Sequence, residues 1–257
     1  MKTIRKLKWM LFVVMASLSM SVFGQTHIYI TGSDTGNSTG FHPAPPSGTP
    51  AANIVGSFYA AVERANAVGG NCIIHLRTNT LYESQRCNDI REGVNIQVIN
   101  DTPQRKAVRW SPTAYTSLQG AQRMVGVQGT LTIGGEGCTS TLIFRCQAGW
   151  DYYYPSEFAD DGTDARVLLK VEGNGVLNIQ ENCELSYGKV NVWLASPNAT
   201  VNQSSGVICA AGDMNVNITQ GTYNMSGGYI TGYYYSFDHI TPDMTANPMF
   251  DYDTLLY

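Results

Sequence analysis

Charge is scarce in this sequence, and positive charge is scarcer than negative. Asp, Glu, Lys and Arg make up 14% of the 257 residues, with 16 Lys and Arg against 20 Asp and Glu. Four of the cations lie within the first eight residues, as Lys2, Arg5, Lys6 and Lys8, so the chain after Gly24 keeps 12 cations and a net charge of −8. Long-range attraction to a polyanion requires an excess of positive charge, and this balance therefore argues against nucleic acid and anionic membrane surfaces as partners.

Long apolar segments are also lacking, apart from one at the N-terminus. An apolar run extends from Trp9 to about Phe23; it is short and dotted with serine, whereas a membrane span needs about 20 apolar residues. Basic residues precede the run, and Gly24 supplies the small residue of a cleavage site. Residues 1–24 are therefore predicted to be a secretory signal peptide that leaves Gln25 as the new N-terminus, with an uncleaved N-terminal anchor as the alternative. No membrane span is predicted in the mature chain.

Metal-binding and catalytic motifs are missing as well. The cysteines form no C-x-x-C and no histidine has zinc-finger spacing, so no metal or cofactor is predicted. The sequence matches G-x-S-x-G once, at Gly36-Asn37-Ser38-Thr39-Gly40, but in a turn-rich segment rather than in the tight strand-to-helix turn of a nucleophile. Its four histidines are scattered: His27, His42, His75 and His239. His75 is expected to be a surface residue on a strand rather than a base. No catalytic residue is predicted.

The six cysteines permit two interpretations. They are Cys72, Cys87, Cys138, Cys146, Cys183 and Cys209. An even number in an oxidising compartment permits disulfides, and the local pairs would be Cys138–Cys146 or Cys72–Cys87. Alternatively, Cys72 and Cys209 lie in apolar, strand-like segments, where a thiol acts as a small buried hydrophobe.

Two local patterns organise the first third of the mature chain. An alternating segment, His27 to Thr31, predicts a strand, and the turn-rich and Pro-rich residues up to Pro50 exclude regular helix. Apolar residues then recur at helical spacing: Ile54, Phe58, Ala61, Val62 and Ala65. With Asn53 as cap and Gly69-Gly70 as stop, they predict one amphipathic helix of about 14 residues.

The remainder reads as short strands separated by Gly, Asn, Ser or Asp, with an internal repeat. The pattern Gly129-Thr-Leu-Thr-Ile133 recurs as Gly175-Val-Leu-Asn-Ile179 and as Met214-Asn-Val-Asn-Ile218. Its central residues Leu131, Leu177 and Val216 are 46 and 39 residues apart. Such repeats predict a solenoid in which stacked coils share one core, with Leu131 and Leu177 in corresponding positions. The residues expected to line this interior are Leu131, Ile133, Leu177, Ile179, Val216 and Ile218. A β-sandwich is the alternative.

The order of elements from Ile28 to Leu76 resembles the N-terminal cap and first coil of the pectin-lyase-like right-handed parallel β-helix family. The segment Gly221-Thr-Tyr-Asn-Met-Ser-Gly-Gly-Tyr-Ile230 is similar to coils of large bacterial surface proteins with that fold. The resemblance implies an all-β, right-handed parallel β-helix with a capping helix in residues 25–70, coils in 71–236, and a tail or cap in 237–257, with a truncated chain as the alternative. It also implies export from a Gram-negative bacterium, as a secreted, periplasmic or cell-surface protein.

Two functions follow from the resemblance. The first is a non-catalytic, adhesin-like surface protein that binds glycan or protein. The alternative is a polysaccharide lyase or glycoside hydrolase acting on acidic glycans, in which an Arg or Lys base lies beside calcium-binding carboxylates. Strand alternation would point Arg145, Lys170 and Glu172 outward. Asp160, Asp161 and Asp164 lie close together in sequence and could hold calcium, or form a solvated turn.

Aromatic residues supply the candidate ligand-binding set. They occur in two groups, which are Trp150, Tyr152, Tyr153 and Tyr154, and Tyr233, Tyr234 and Tyr235. Aromatic faces among a few polar groups can stack on sugar rings, which makes these residues candidates for a glycan or protein contact surface. The alternative is that both groups bury their rings against the flank of the solenoid.

Overall fold

The computed structural model describes residues 24–31, 43–83, 87–110, 123–146, 167–188, 190–209 and 214–231. In this part the protein is mostly β, in three parallel sheets, with one α-helix and one short 3-10 helix at Ala51–Asn53. No helix in these ranges has the length and apolar character needed to cross a membrane. Residues 1–23 of the predicted signal peptide lie outside the described residues, as do residues 232–257.

The eighteen strands are numbered in chain order and divide among the three sheets. The eight-stranded sheet, in spatial order, contains β17 Thr222–Met225, β14 Thr200–Gln203, β11 Val176–Ile179, β8 Thr130–Ile133, β5 Val94–Ile99, β3 Gly70–Leu76, β1 Thr26–Ile30 and β2 Ile54–Val55. The six-stranded sheet contains β18 Tyr229–Thr231, β15 Val207–Cys209, β12 Cys183–Ser186, β9 Leu142–Cys146, β6 Lys106–Trp110 and β4 Thr80–Glu83. The four-stranded sheet contains β16 Met214–Ile218, β13 Val190–Leu194, β10 Val167–Val171 and β7 Arg123–Val127.

From β7 onward the chain visits the four-, eight- and six-stranded sheets in turn, and each strand pairs with the strand three later. Every pairing between these strands is parallel, so the antiparallel sandwich is wrong for the described part of the chain. Parallel neighbours need a crossover connection, and here the two intervening strands supply it. This order is compatible with a β-helix-like solenoid.

The predicted correspondence of Leu131 and Leu177 is confirmed, because they are register partners in β8 and β11 and both are fully buried. The third copy of the repeat is placed differently. Val216 pairs with Val192 in the four-stranded sheet rather than following Leu177, and Ile218 is 53% exposed. Both residues belong to β16, which lies at the edge of its sheet. The expectation of a buried Ile218 is therefore wrong.

One amphipathic helix, α1 Phe58–Val68, follows the first strands and buries Phe58, Ala61, Val62 and Ala65. It is shorter than predicted, at 11 residues, because Ser57 rather than Asn53 is the N-cap: its hydroxyl accepts a hydrogen bond from the Ala60 N–H at 3.0 Å. Ile54 is not helical, since it pairs with Tyr29 in extended conformation.

The six cysteines form no disulfide with one another and all are buried. The predicted pairs Cys138–Cys146 and Cys72–Cys87 are therefore not formed, and the buried, small-hydrophobe interpretation holds for Cys72 and Cys209. Burial raises the pKa of the Cys209 thiol to about 12. Protonated, enclosed thiols of this kind are chemically inert.

A ladder of side-chain hydrogen bonds crosses the outer face of the eight-stranded sheet. Asn178 Nδ2 donates to Thr132 Oγ1 at 3.1 Å, Asn202 Nδ2 to Asn178 Oδ1 at 2.9 Å, and Asn224 Nδ2 to Asn202 Oδ1 at 3.0 Å. Each amide therefore donates to its predecessor along the chain. Such ladders add side-chain hydrogen bonds to those of the backbone and help to fix the register.

Candidate functional site

The aromatic residues predicted to bind a ligand lie outside the described residues, and so do the aspartates predicted as calcium ligands. They are Trp150, Tyr152, Tyr153, Tyr154, Tyr233, Tyr234 and Tyr235, and Asp160, Asp161 and Asp164. These assignments stay predictions. Within the described ranges, no group of three or more His, Cys, Asp or Glu side chains has an arrangement that could hold a metal ion.

The residues predicted to point outward from β10 belong to a charge network across the four-stranded sheet. Lys170 Nζ lies 3.1 Å from Glu172 Oε1 and 4.2 Å from the centre of the Trp193 ring. Arg123 Nη2 lies 2.9 Å from Glu172 Oε2 and 2.8 Å from Asp89 Oδ2. Charges of alternating sign thus connect neighbouring strands. Lys170 is engaged as an ammonium cation, whereas a general base must present a lone pair.

Arg145, the other candidate base, lies outward on the six-stranded sheet beside Arg109, its register partner. Its guanidinium lies 6.0 Å from the centre of the Tyr187 ring. Burial lowers the pKa of Arg145 and the charge of Arg109 lowers it further, while Tyr187 and Glu184 oppose the shift. The guanidinium stays protonated in proteins, so the position favours binding over base catalysis.

Strands β1 and β3 bring two histidines together, which the scattered positions in sequence did not predict. His27 Nδ1 lies 2.8 Å from His75 Nε2, and His75 Nδ1 lies 2.9 Å from Asp101 Oδ2. The Tyr29 ring stacks on the His75 ring at 4.4 Å, and Arg77 Nη2 binds Asp101 Oδ2 at 2.7 Å. His75 is therefore buried, at 7% exposure, and its expected surface position is wrong.

Hydrogen bonds join Asp101, His75 and His27 in a chain of three side chains. Burial opposes ionisation of Asp101, but the hydrogen bonds and charges of His75 and Arg77 outweigh it and lower its pKa. Ionised Asp101 accepts a hydrogen bond from His75 Nδ1. Burial, and secondarily the charge of a protonated His75, lower the pKa of His27.

The lowered pKa of His27 predicts a loss of stability on mild acidification. The unfolded chain takes up a proton near the ordinary histidine pKa of about 6.5, while folded His27 resists it, so the free energy of unfolding falls as pH decreases through that value. Asp101 contributes only at lower pH, since its lowered pKa gives stability that is lost as pH falls below about 3.9. Denaturant unfolding between about pH 7.5 and 5 should therefore show a weaker pH dependence for His27→Gln than for the wild type. An equal slope in both proteins contradicts this prediction.

A groove of about 550 Å³ lies along the turns that join the eight-stranded to the six-stranded sheet. It is open to solvent and crosses four neighbouring strands, and the residues that matter for its chemistry are Thr141, Asn182, Glu184, Ser205, Val207 and Tyr229. Because the strands that follow these turns are neighbours in the six-stranded sheet, the polar side chains of the turns form a row rather than a point site. We refer to this feature as the corner groove.

Strand register sets the spacing within the corner groove. Glu184 pairs with Val207, and Val207 pairs with Tyr229. Neighbouring strands lie about 4.8 Å apart, which puts the Glu184 and Tyr229 backbones about 10 Å apart. Tyr229 is 44% exposed, an unusual exposure for an aromatic side chain in this fold. Glu184 Oε1 accepts a hydrogen bond from Ser186 Oγ at 2.9 Å.

Sequence reasoning did not select Glu184 or Tyr229 as site residues. Their spacing of 45 residues, which equals two repeats in the last part of the chain, is the sequence feature that could have identified them. No protein-family model, no curated protein and no solved structure matches this chain.

Proposed function

We propose that this protein is an exported, non-catalytic, right-handed parallel β-helix of the surface-protein type that binds an extended glycan along the corner groove. The cyclic visiting order of the sheets and the uniformly parallel pairing support the β-helix. The basic N-terminus followed by an apolar run supports export. The resemblance of the N-terminal segment and of residues 221–230 to pectin-lyase-like and adhesin-type proteins supports the surface role.

The observation that carries the proposal is the composition of the corner groove. Glycan sites combine an apolar or aromatic surface with a few polar groups that fix orientation. Here Tyr229 offers an exposed ring, Val207 a flat apolar floor, and Asn182, Glu184 and Ser205 the hydrogen-bonding groups. The groove follows the stacking direction of the strands, so its length suits an extended polymer rather than a compact ligand.

The same composition favours binding over catalysis. Glycoside hydrolases use a pair of carboxylic acids on either side of the scissile bond. Among the described residues that line the groove, Glu184 is the single carboxylic acid. A lyase needs a base fixed beside groups that stabilise the developing charge, and Lys170 lies on a different sheet, bound to Glu172.

The proposed binding is tested by measuring the affinity of the exported protein for oligosaccharides. The proposed export is tested by the intact mass of the same protein, which should correspond to a chain that begins at Gln25. We expect one class among neutral, acidic and amino oligosaccharides to bind, and Tyr229→Ala to weaken its binding about tenfold, which corresponds to about 1.4 kcal/mol. The matched control is Ile54→Ala, because Ile54 is 39% exposed and lies in β2, far from the groove.

Both variants should unfold at temperatures close to that of the wild type, so that a loss of binding reports on the groove. Equal binding by Tyr229→Ala and the wild type contradicts the proposed groove. Absence of binding to every oligosaccharide class contradicts the proposed function itself.

A further inference from the structure

The corner groove has one sign of charge. Of the residues that line it, Glu184 alone carries a formal charge, and the others are neutral polar, apolar, aromatic or glycine. The chain after Gly24 has a net charge of −8, which adds a long-range preference for cationic over anionic ligands. A ligand with carboxylate or sulfate groups is repelled by Glu184 and disfavoured by this net charge.

Glu184 is placed to accept a cationic hydrogen-bond donor. It is half-buried on β12, and the Ser186 hydroxyl at 2.9 Å is its hydrogen-bond partner. A carboxylate offers about four lone-pair sites, so one hydroxyl leaves acceptor capacity. Among the described residues, no Lys or Arg forms an ion pair with Glu184.

The nearest cation is outside the groove. Arg145 lies close enough for Glu184 to raise its pKa, but it faces Tyr187 and pairs in register with Ser186 rather than with Glu184. It does not line the groove. Arg145 therefore reduces the negative potential at Glu184 from outside the groove.

From this geometry we infer that the corner groove selects glycans that carry protonated amino groups, with Glu184 binding the ammonium and Tyr229 stacking on a sugar ring about 10 Å away. This inference rests on the proposed glycan-binding function and narrows its ligand class. A hydrogen bond between an ammonium and a carboxylate is about twice as strong as one between neutral groups, which is the source of the discrimination.

Two probes that differ at the 2-amino groups, which are free in one and acetylated in the other, test the inference. They are a β-1,4-linked glucosamine hexamer and the fully N-acetylated hexamer, measured by titration calorimetry at about pH 5.5, where ordinary amino groups carry a proton. We expect the wild type to bind the amino form about tenfold more tightly, and Glu184→Gln to bind both forms with the lower affinity. The preference should decrease when salt is raised to about 0.5 M, because screening weakens exposed charge pairs.

The matched control is Glu92→Gln, which removes the same charge from an exposed position beside β5, away from the groove, and should keep the preference. Equal affinity of the wild type for both hexamers, or an unchanged preference in Glu184→Gln, overturns the inference and leaves glycan binding in place. Failure of both hexamers and of every other oligosaccharide class to bind overturns the inference together with the proposed function. Tyr229→Ala should lower the affinity for the two hexamers by the same factor.

Discussion

Replacement of Leu177 by Ala should lower the free energy of unfolding by about 2–5 kcal/mol. Leu177 is fully buried on β11, where it is the register partner of Leu131 on one side and Val201 on the other, both also fully buried. Truncation removes buried methyl groups and leaves a cavity between neighbours that are fixed by their own strand pairing, so collapse into the space is restricted. Urea unfolding measures the loss.

Val176→Ala provides the control for this prediction. Val176 precedes Leu177 on the same strand but is only half-buried, because alternate residues of a strand face opposite sides. Its truncation removes less buried apolar surface and leaves little cavity, so the loss should be clearly smaller. A loss below about 1 kcal/mol for Leu177→Ala contradicts the shared core.

Replacement of Gly175 by Ala should destabilise the protein by about 3 kcal/mol, near the upper end of overpacking penalties. A Cβ atom at this position would lie 2.0 Å from the backbone oxygen of Val127 and 2.8 Å from that of Glu172. Both are main-chain atoms, and the Val127 oxygen accepts the Glu172 N–H at 2.9 Å. Relief of the overlap therefore requires movement of the backbone, not of a flexible side chain.

The control is Ala199→Gly. Ala199 precedes β14 as Gly175 precedes β11, and it is fully buried. A methyl group is thus accommodated one repeat later, and its removal should cost at most about 1 kcal/mol. Thermal unfolding of both variants gives the comparison. If Gly175→Ala unfolds at the same temperature as the wild type, this would falsify the view that the close approach of the Val127 backbone requires glycine at this position of the repeat.

The core could be predicted from sequence because alternation and repetition are local properties of the chain. Leu131 and Leu177 share both a glycine-led pattern and an inward position, and the structure pairs them directly. The copy around Val216 shares the alternation but lacks the glycine, and it belongs to another sheet. Alternating apolar residues occur in the strands of every sheet, so alternation alone does not assign a strand to one of them.

The contact between His27 and His75 could not be predicted from sequence, because it depends on how many residues separate two paired strands. His27 and His75 are 48 residues apart and adjoin because β1 pairs with β3. Nothing in either residue's neighbourhood encodes that distance. Glu184, Val207 and Tyr229 recur at 23 and 22 residues, so the corner groove was within reach of a periodicity search restricted to the last part of the chain.

The number of residues between paired strands has a consequence for where new segments can be inserted into this protein. Leu177 follows its partner Leu131 by 46 residues, yet Val201 follows Leu177 by only 24, and both pairs stand in register. Most of the difference is the twenty residues 147–166, which separate β9 from β10. The strand pairing thus accommodates connections of very different length, and lengthening a connection costs little closure entropy. Foreign peptides inserted between β9 and β10 should therefore leave the pairing intact, which makes the chain a candidate scaffold for display.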